Sequence, residues 1–211
     1  MRVQRCFAFV DLSGFTAFTE NRGDERAVLV LAEMRTVMRE IAARRGVRVV
    51  KWLGDGAMLS STDVDGLTAA IIEIGSRMDD ALPTLAMRAG MDAGPVIMFE
   101  GDDYIGRPVN VASRLCDQAR PHELLATATL VPGLPAWVEA SPAPPVQVKG
   151  FDATIDLVRL SIVDAGDDPV TDPVCGLTIP RATAVQEAST WFCSAACAGS
   201  ARRADPAVVR T

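Results

Sequence analysis

Residues 49 to 59 read VVKWLGDGAML, two apolar runs wrapped around Gly54-Asp55-Gly56. A stretch of that pattern folds as a β-hairpin before it folds as anything else. On either side stand segments with helical spacing. From Asp24 to Gly46 the apolar positions Val30, Met34, Val37 and Ile41 share one side, with Asp24 suited to the start and Gly46 to the stop. From Asp65 to Leu82 the residues Leu67, Ala70, Ile71, Ile74 and Met78 do the same. An antiparallel strand pair bracketed by amphipathic helices requires a sheet with helices laid on it. The hairpin also carries two charges. Lys51 alternates with Val50 and Trp52, which puts it on the face of Val49 and Leu53, and Asp55 sits in the turn. An edge-strand lysine and a turn aspartate account for both at the simplest level.

The remaining elements extend the same layer. RCFAFVDL, residues 5 to 12, reads as a buried strand that ends in Asp11. TLAMRAGMDAG and PVIMFE read as a further strand pair, and the acidic turn GDDYIG leads into a helix with Pro108 in its first turn and an end near Arg120. Short strands are expected at residues 124–127, 146–148 and 154–160. The order describes an α+β sandwich with helices on an antiparallel-rich sheet, occupying residues 1–160. Residues 161–171, SIVDAGDDPVT, are acidic and turn-rich and read as a linker. Residues 172–211 are too few to hold an ample core without a staple, and three of the five cysteines lie there.

With 27 acidic against 21 basic residues the chain carries a net charge of −6, which repels a phosphate backbone and argues against nucleic acid as a partner. No apolar stretch approaches bilayer length, so no membrane partner is expected. An odd number of cysteines, clustered late, fits reduced thiols in the cytoplasm, and a metal site, better than a disulfide framework. Asp11 and Asp55 each close a strand. If neighbouring strands carry them, two carboxylates converge on one spot, as a pair of Mg²⁺ ions with phosphate oxygens requires.

Three blocks, FAFVDLSGFT, VVKWLGDGAML and YIGRPVNVASRL, resemble the signature blocks of class III adenylate/guanylate cyclases, in the same order, over residues 5–160. The resemblance implies a ferredoxin-like, palm-type sandwich. It also implies roles. Asp11 and Asp55 match the aspartates that hold two Mg²⁺ or Mn²⁺ ions per active site, and Ser13, Gly14, Phe15 and Thr16 match the loop under the triphosphate. Lys51 and Asp103 match the purine readers, and Asn110 the residue that orients the ribose. Arg114 matches the arginine that meets charge developing at the α-phosphate, and Lys149 the lysine on the outer phosphates. Adenine offers a donor at N6 and an acceptor at N1, the polarity that a carboxylate and an ammonium complement, so Lys51 with Asp103 favours ATP over GTP. In the family each site lies between two catalytic domains. A chain with both sets of residues is therefore expected to work as a head-to-tail homodimer making cyclic AMP. A non-catalytic nucleotide-binding signalling domain is the alternative.

The tail, DPVCGLTIP followed by WFCSAACAGSARRADPAVV, resembles a YHS-type module, related to the TRASH type. Cys175, Cys193 and Cys197 form a C-x17-C-x3-C arrangement, suited to a soft or borderline ion such as Zn²⁺ or Cu⁺. Asp172 or an external ligand would complete the site. Buried, unligated cysteines are the plainer alternative. A metal-handling protein with an inactive cyclase-like domain is the corresponding alternative for the whole chain.

Overall fold

The computed structural model describes residues 1–99, 103–147 and 154–204. They form two compact units. One comprises Met1–Leu134 and Ala140–Leu160, the other Pro135–Glu139 and the chain from Ser161 onward.

The first unit is built on β1 (Arg2–Ser13) and β4 (Ala86–Phe99), antiparallel to each other from Arg2↔Ile97 to Ser13↔Ala86. β3 (Gly56–Ser61) lies on the other side of β1, and β2 (Arg48–Leu53) pairs with β3. β6 (Leu124–Thr127) joins β4 in parallel, followed by β8 (Thr154–Ile162) and β7 (Val138–Gln147). The order is β2-β3-β1-β4-β6-β8-β7, with β5 (Asp103–Ile105) on the far end of β4. This is the expected α+β sandwich. One expectation differs. The segments read as two strands around Gly94-Pro95 are a single strand, β4. β1 offers an extended template past this point, pairing Arg5 with Gly94 and Gln4 with Pro95. The proline sits between the stretches where β4 pairs with β6 and with β5, so its missing N–H costs no bond there.

Alternation divides the helices between the two faces. Phe7, Met58, Val96 and Tyr104 pack with Ala112 of α4 (Arg107–Gln118). On the opposite face Met87 meets Gly75 of α3 (Val64–Ala81). α2 (Asp24–Arg45) packs along α3 and β2. α2 ends where predicted, at Gly46 with φ +66°, but the position before its first turn is Gly23, and Asp24 and Glu25 lie inside it, where carboxylates favour the helix dipole. α3 is capped by Asp63, whose side chain accepts from Gly66 N at 2.8 Å. A buried ion pair, Arg45 Nε to Glu73 Oε2 at 2.7 Å, ties α2 to α3, and Arg44 also reaches Glu73. A short helix, α1 (Phe15–Arg22), begins directly after Gly14.

α4 lies close on the sheet because Gly90 has no side chain. A Cβ there would stand 2.2 Å from Cys116 N and 2.4 Å from Ala112 O. Both neighbours are helix backbone, so they cannot turn aside. Gly90→Ala is expected to destabilise the protein by about 3 kcal/mol or more, read as a lowered urea midpoint. An unchanged midpoint would mean that α4 is not seated so tightly.

Candidate functional site

The charged residues singled out in the sequence fall into two groups in the first unit. Asp11, near the end of β1, and Asp55, in the β2–β3 turn, line one cavity of about 620 Å³ together with Ser13–Ala17 and Arg88. The turn itself has Gly54 and Asp55 as its two central residues, with Leu53 facing Gly56 across it and Gly54 at φ +66°. Glycine at the first central position marks the II′ type, so the glycine that makes the reversal is Gly54. Gly56 is required for a different reason. A Cβ there would meet Val10 O at 2.5 Å and Asp11 Oδ1 at 3.3 Å, so the aspartate-bearing end of β1 can lie against β3 only if that position is bare.

Burial raises the Asp55 carboxyl above its ordinary value, and the neighbouring Asp11 adds to the rise, while its own backbone and Arg88 oppose it. A carboxylate whose proton affinity is raised by burial and by a neighbouring carboxylate marks a favourable place for a cation, and hard oxygen donors suit Mg²⁺ or Mn²⁺. Ser13 Oγ is buried without a hydrogen-bond partner and lines the same cavity. Gly14, at φ +83°, turns the chain into α1, whose first N–H groups have no partner within the helix, an arrangement suited to phosphate oxygens.

The second group lies elsewhere on the unit. Lys51 Nζ and Asp103 Oδ1 are 2.9 Å apart, a pair that joins β2 to β5 across 52 residues of sequence. A bulge between Val49 and Lys51 brings this about. It breaks the simple alternation expected of β2 and sets Lys51 opposite Met58, which belongs to the cluster beneath α4. The Lys51 bond, helped by Tyr104 N, holds the Asp103 carboxyl below its ordinary value. Asn110 and Arg114 share the exposed side of α4, where Arg114 reaches Asp117 at 3.5 Å. Val109, Ala112 and Cys116 face inward. None of Lys51, Asp103, Asn110 and Arg114 lines the cavity that holds Asp11 and Asp55. Lys149 lies outside the described residues.

Arg88 was not singled out in the sequence, although a lone arginine within the apolar run of TLAMRAGM was a usable signal. The structure sets it across from Asp11 in the β1–β4 ladder, with Nε and Nη2 on Asp11 Oδ2 at 2.9 and 2.6 Å. Cys6 and Cys116 are core thiols, pushed up by burial to about 11 and about 12, and are therefore protonated and unreactive.

The second unit contains another cluster. Asp172, Cys175, Cys193 and Cys197 are all buried, with their ligand atoms within 4.8 Å of one another. The Sγ atoms of Cys175 and Cys193 are 3.6 Å apart, and those of Cys193 and Cys197 3.7 Å. Two thiolates bonded to a tetrahedral zinc at about 2.3 Å would be about 3.8 Å apart. Asp172 organises the loop. Its Oδ1 accepts from Val174 N and Cys175 N at 2.8 and 3.3 Å, and its Oδ2 from Cys193 N at 2.7 Å. Hydrogen bonds from the adjacent thiols and burial push the Cys175 thiol far up, so that sulfur keeps its proton unless a bound cation displaces it. Trp137 Nε1 donates to Cys193 O at 2.9 Å.

Residues 3–157 match the family described as Adenylate and Guanylate cyclase catalytic domain, and the chain belongs to that family. It is 35% identical over 147 residues to an uncharacterized protein of Mycobacterium tuberculosis, spanning 70% of this chain and 38% of that one. It is 30% identical over 158 residues to a pH-sensitive adenylate cyclase of the same organism, spanning 72% of this chain and 39% of the other. The chain thus covers about two fifths of the length of these relatives. The adenylyl cyclase CyaB of P. aeruginosa has the same fold, with a TM-score of 0.65 at 24% identity over 76% of this chain and 95% of that one. Among the described residues no helix is long and apolar enough to cross a membrane.

The Lys51–Asp103 pair makes a direct prediction. Lys51→Met should move the Asp103 carboxyl up toward its ordinary value, read as the pH midpoint of its carbonyl NMR signal. Because the folded value is depressed, the pair stabilises the fold only above the unfolded carboxylate range, and that contribution disappears as pH falls through the folded value. Both side chains are more than two fifths exposed, so the effect on stability is small. An unmoved midpoint would show that the two groups do not interact.

Proposed function

We propose that the chain is an adenylate cyclase that converts ATP to 3′,5′-cyclic AMP and pyrophosphate at sites shared between two copies. The observation that carries this reading is the division of the charged residues. The Asp11–Asp55 cavity is lined by carboxylates and the Ser13–Ala17 turn, whereas the groups suited to a purine, a ribose and a reacting phosphate lie away from it on β2, β5 and α4. A head-to-tail homodimer brings the first set of one copy against the second set of its twin, twice over.

In this reading Lys51 donates to adenine N1, Asp103 accepts from its N6 amine, and guanine leaves both groups mispaired. Asn110 orients the ribose so that its 3′-oxygen faces the α-phosphorus. Ser13–Thr16 present hydroxyl and backbone N–H groups to the triphosphate, and Lys149 takes the outer phosphates. Arg114 donates to charge that grows on the α-phosphate only in the transition state. Asp11 and Asp55 would hold two Mg²⁺ or Mn²⁺ ions, which supply acidification of the 3′-hydroxyl and neutralisation of the phosphates.

In the second unit, Cys175, Cys193 and Cys197 would hold Zn²⁺ or Cu⁺, with Asp172 fixing the loops around the ion, and occupancy would tune the cyclase. Reduced thiols of this kind fit a cytoplasmic setting. Purified protein is expected to carry close to one equivalent of such an ion by elemental analysis. A Cys193→Ser/Cys197→Ser variant should carry almost none, and equal metal content in the two would remove the idea.

Complementation tests the shared site. Asp55→Ala and Arg114→Ala proteins should each be nearly inactive with Mn²⁺ and ATP. Mixed under exchange conditions they should recover about a quarter of the wild-type cyclic AMP output, since half the dimers are hybrids with one intact site each. No recovery on mixing would show that each copy works alone or not at all.

A further inference from the structure

Two carboxylates on one cavity repel each other, and β4 sets a guanidinium against one of them. Arg88 places Nε and Nη2 on the same oxygen of Asp11, Oδ2, at 2.9 and 2.6 Å. Its third arm, Nη1, donates to the main-chain carbonyl of Asp117 at 3.0 Å, in the last turn of α4. The fork is therefore tied to β1 at one end and α4 at the other, and a planar group held in this way has little rotamer freedom left. The consequence falls on the other oxygen. Asp11 Oδ1 points toward Gly56, 3.3 Å from the place a Cβ would occupy there, and Gly56 directly follows Asp55.

We propose that Arg88 is a positioning residue for the divalent-cation site: it pins one oxygen of Asp11 so that the other is aimed toward the turn carrying Asp55. This rests on the reading of Asp11 and Asp55 as the cation-holding pair. Two effects of opposite sign are at work. The positive charge of Arg88 opposes an arriving cation, whereas its hydrogen bonds fix the ligand that the cation needs. The side chains of Arg88 and Asp11 are 26% and 27% exposed, so water and salt weaken the charge effect. The hydrogen-bond geometry is not screened in that way, and orientation wins. Outer partners of metal ligands commonly contribute about tenfold to hundredfold in metal affinity.

The test is Mn²⁺ binding to the nucleotide-free protein, followed by electron paramagnetic resonance of the free ion, with a thermal melt on each sample. Arg88→Gln should weaken Mn²⁺ binding by about tenfold or more. Arg88→Lys keeps the charge but loses the fork, and should fall between the two. If Arg88→Gln binds Mn²⁺ as tightly as the wild type, or more tightly, the guanidinium is only a counter-charge or a packing group and the proposal is overturned. Should Arg88→Gln fail to fold, Arg88→Lys decides alone, because undiminished affinity with the charge retained also overturns it. Asp11→Asn and Asp55→Asn are measured alongside. Mn²⁺ binding untouched by both would overturn the cation site itself, whereas binding lost in both and kept in the Arg88 variants would overturn only the role of Arg88.

Discussion

The pairing of β1 with β4 is the constraint on which the first unit depends. It runs from Arg2↔Ile97 to Ser13↔Ala86 and fixes what stands beside Asp11 on both sides: Arg88 in β4 and Gly56 in β3. A slip of one residue would turn Asp11 to the opposite face of the sheet and send Phe7 after it. Phe7 is fully buried beneath α4, so the apolar core enforces the register that the charged groups need. Packing thus aims the carboxylate, and the hydrogen bonds of Arg88 refine that aim.

α4 shows the same economy of parts. Its inner side is close-packed on the sheet through Ala112, Leu115 and Cys116, and its outer side carries Asn110 and Arg114. Because Gly90 lets the helix backbone approach the strand, the positions of Asn110 and Arg114 are set by a rigid contact and not by a loop. In the role proposed for Arg114, such rigidity would leave little reorganisation to be done during the reaction.

Much of this architecture was legible in the chain. The two long helices followed from spacing, and the hairpin from Gly54-Asp55-Gly56, because both signals are local. What escaped was set by partners distant in sequence. The unbroken course of β4 through Gly94-Pro95 depends on the template of β1, some ninety residues earlier in the chain. The bulge that redirects Lys51 arises in its pairing with β3. Arg88 looked like one arginine in an apolar strand, and only the ladder reveals that it faces Asp11. The cysteines were evident from their spacing, but the way Asp172 collects the backbone N–H groups of Val174, Cys175 and Cys193 is a product of folding that no spacing rule contains.

The membership of Pro135–Glu139 has a consequence for how the chain can be divided. These residues precede β8 in sequence yet belong to the unit that begins again at Ser161. Among them is Trp137, 1% exposed, with its indole on the carbonyl of Cys193. The cysteine-bearing unit is therefore assembled from two separate stretches of chain. A clean excision at residue 160 would strip the wrapping from a large aromatic ring and leave an oily wound on the part retained.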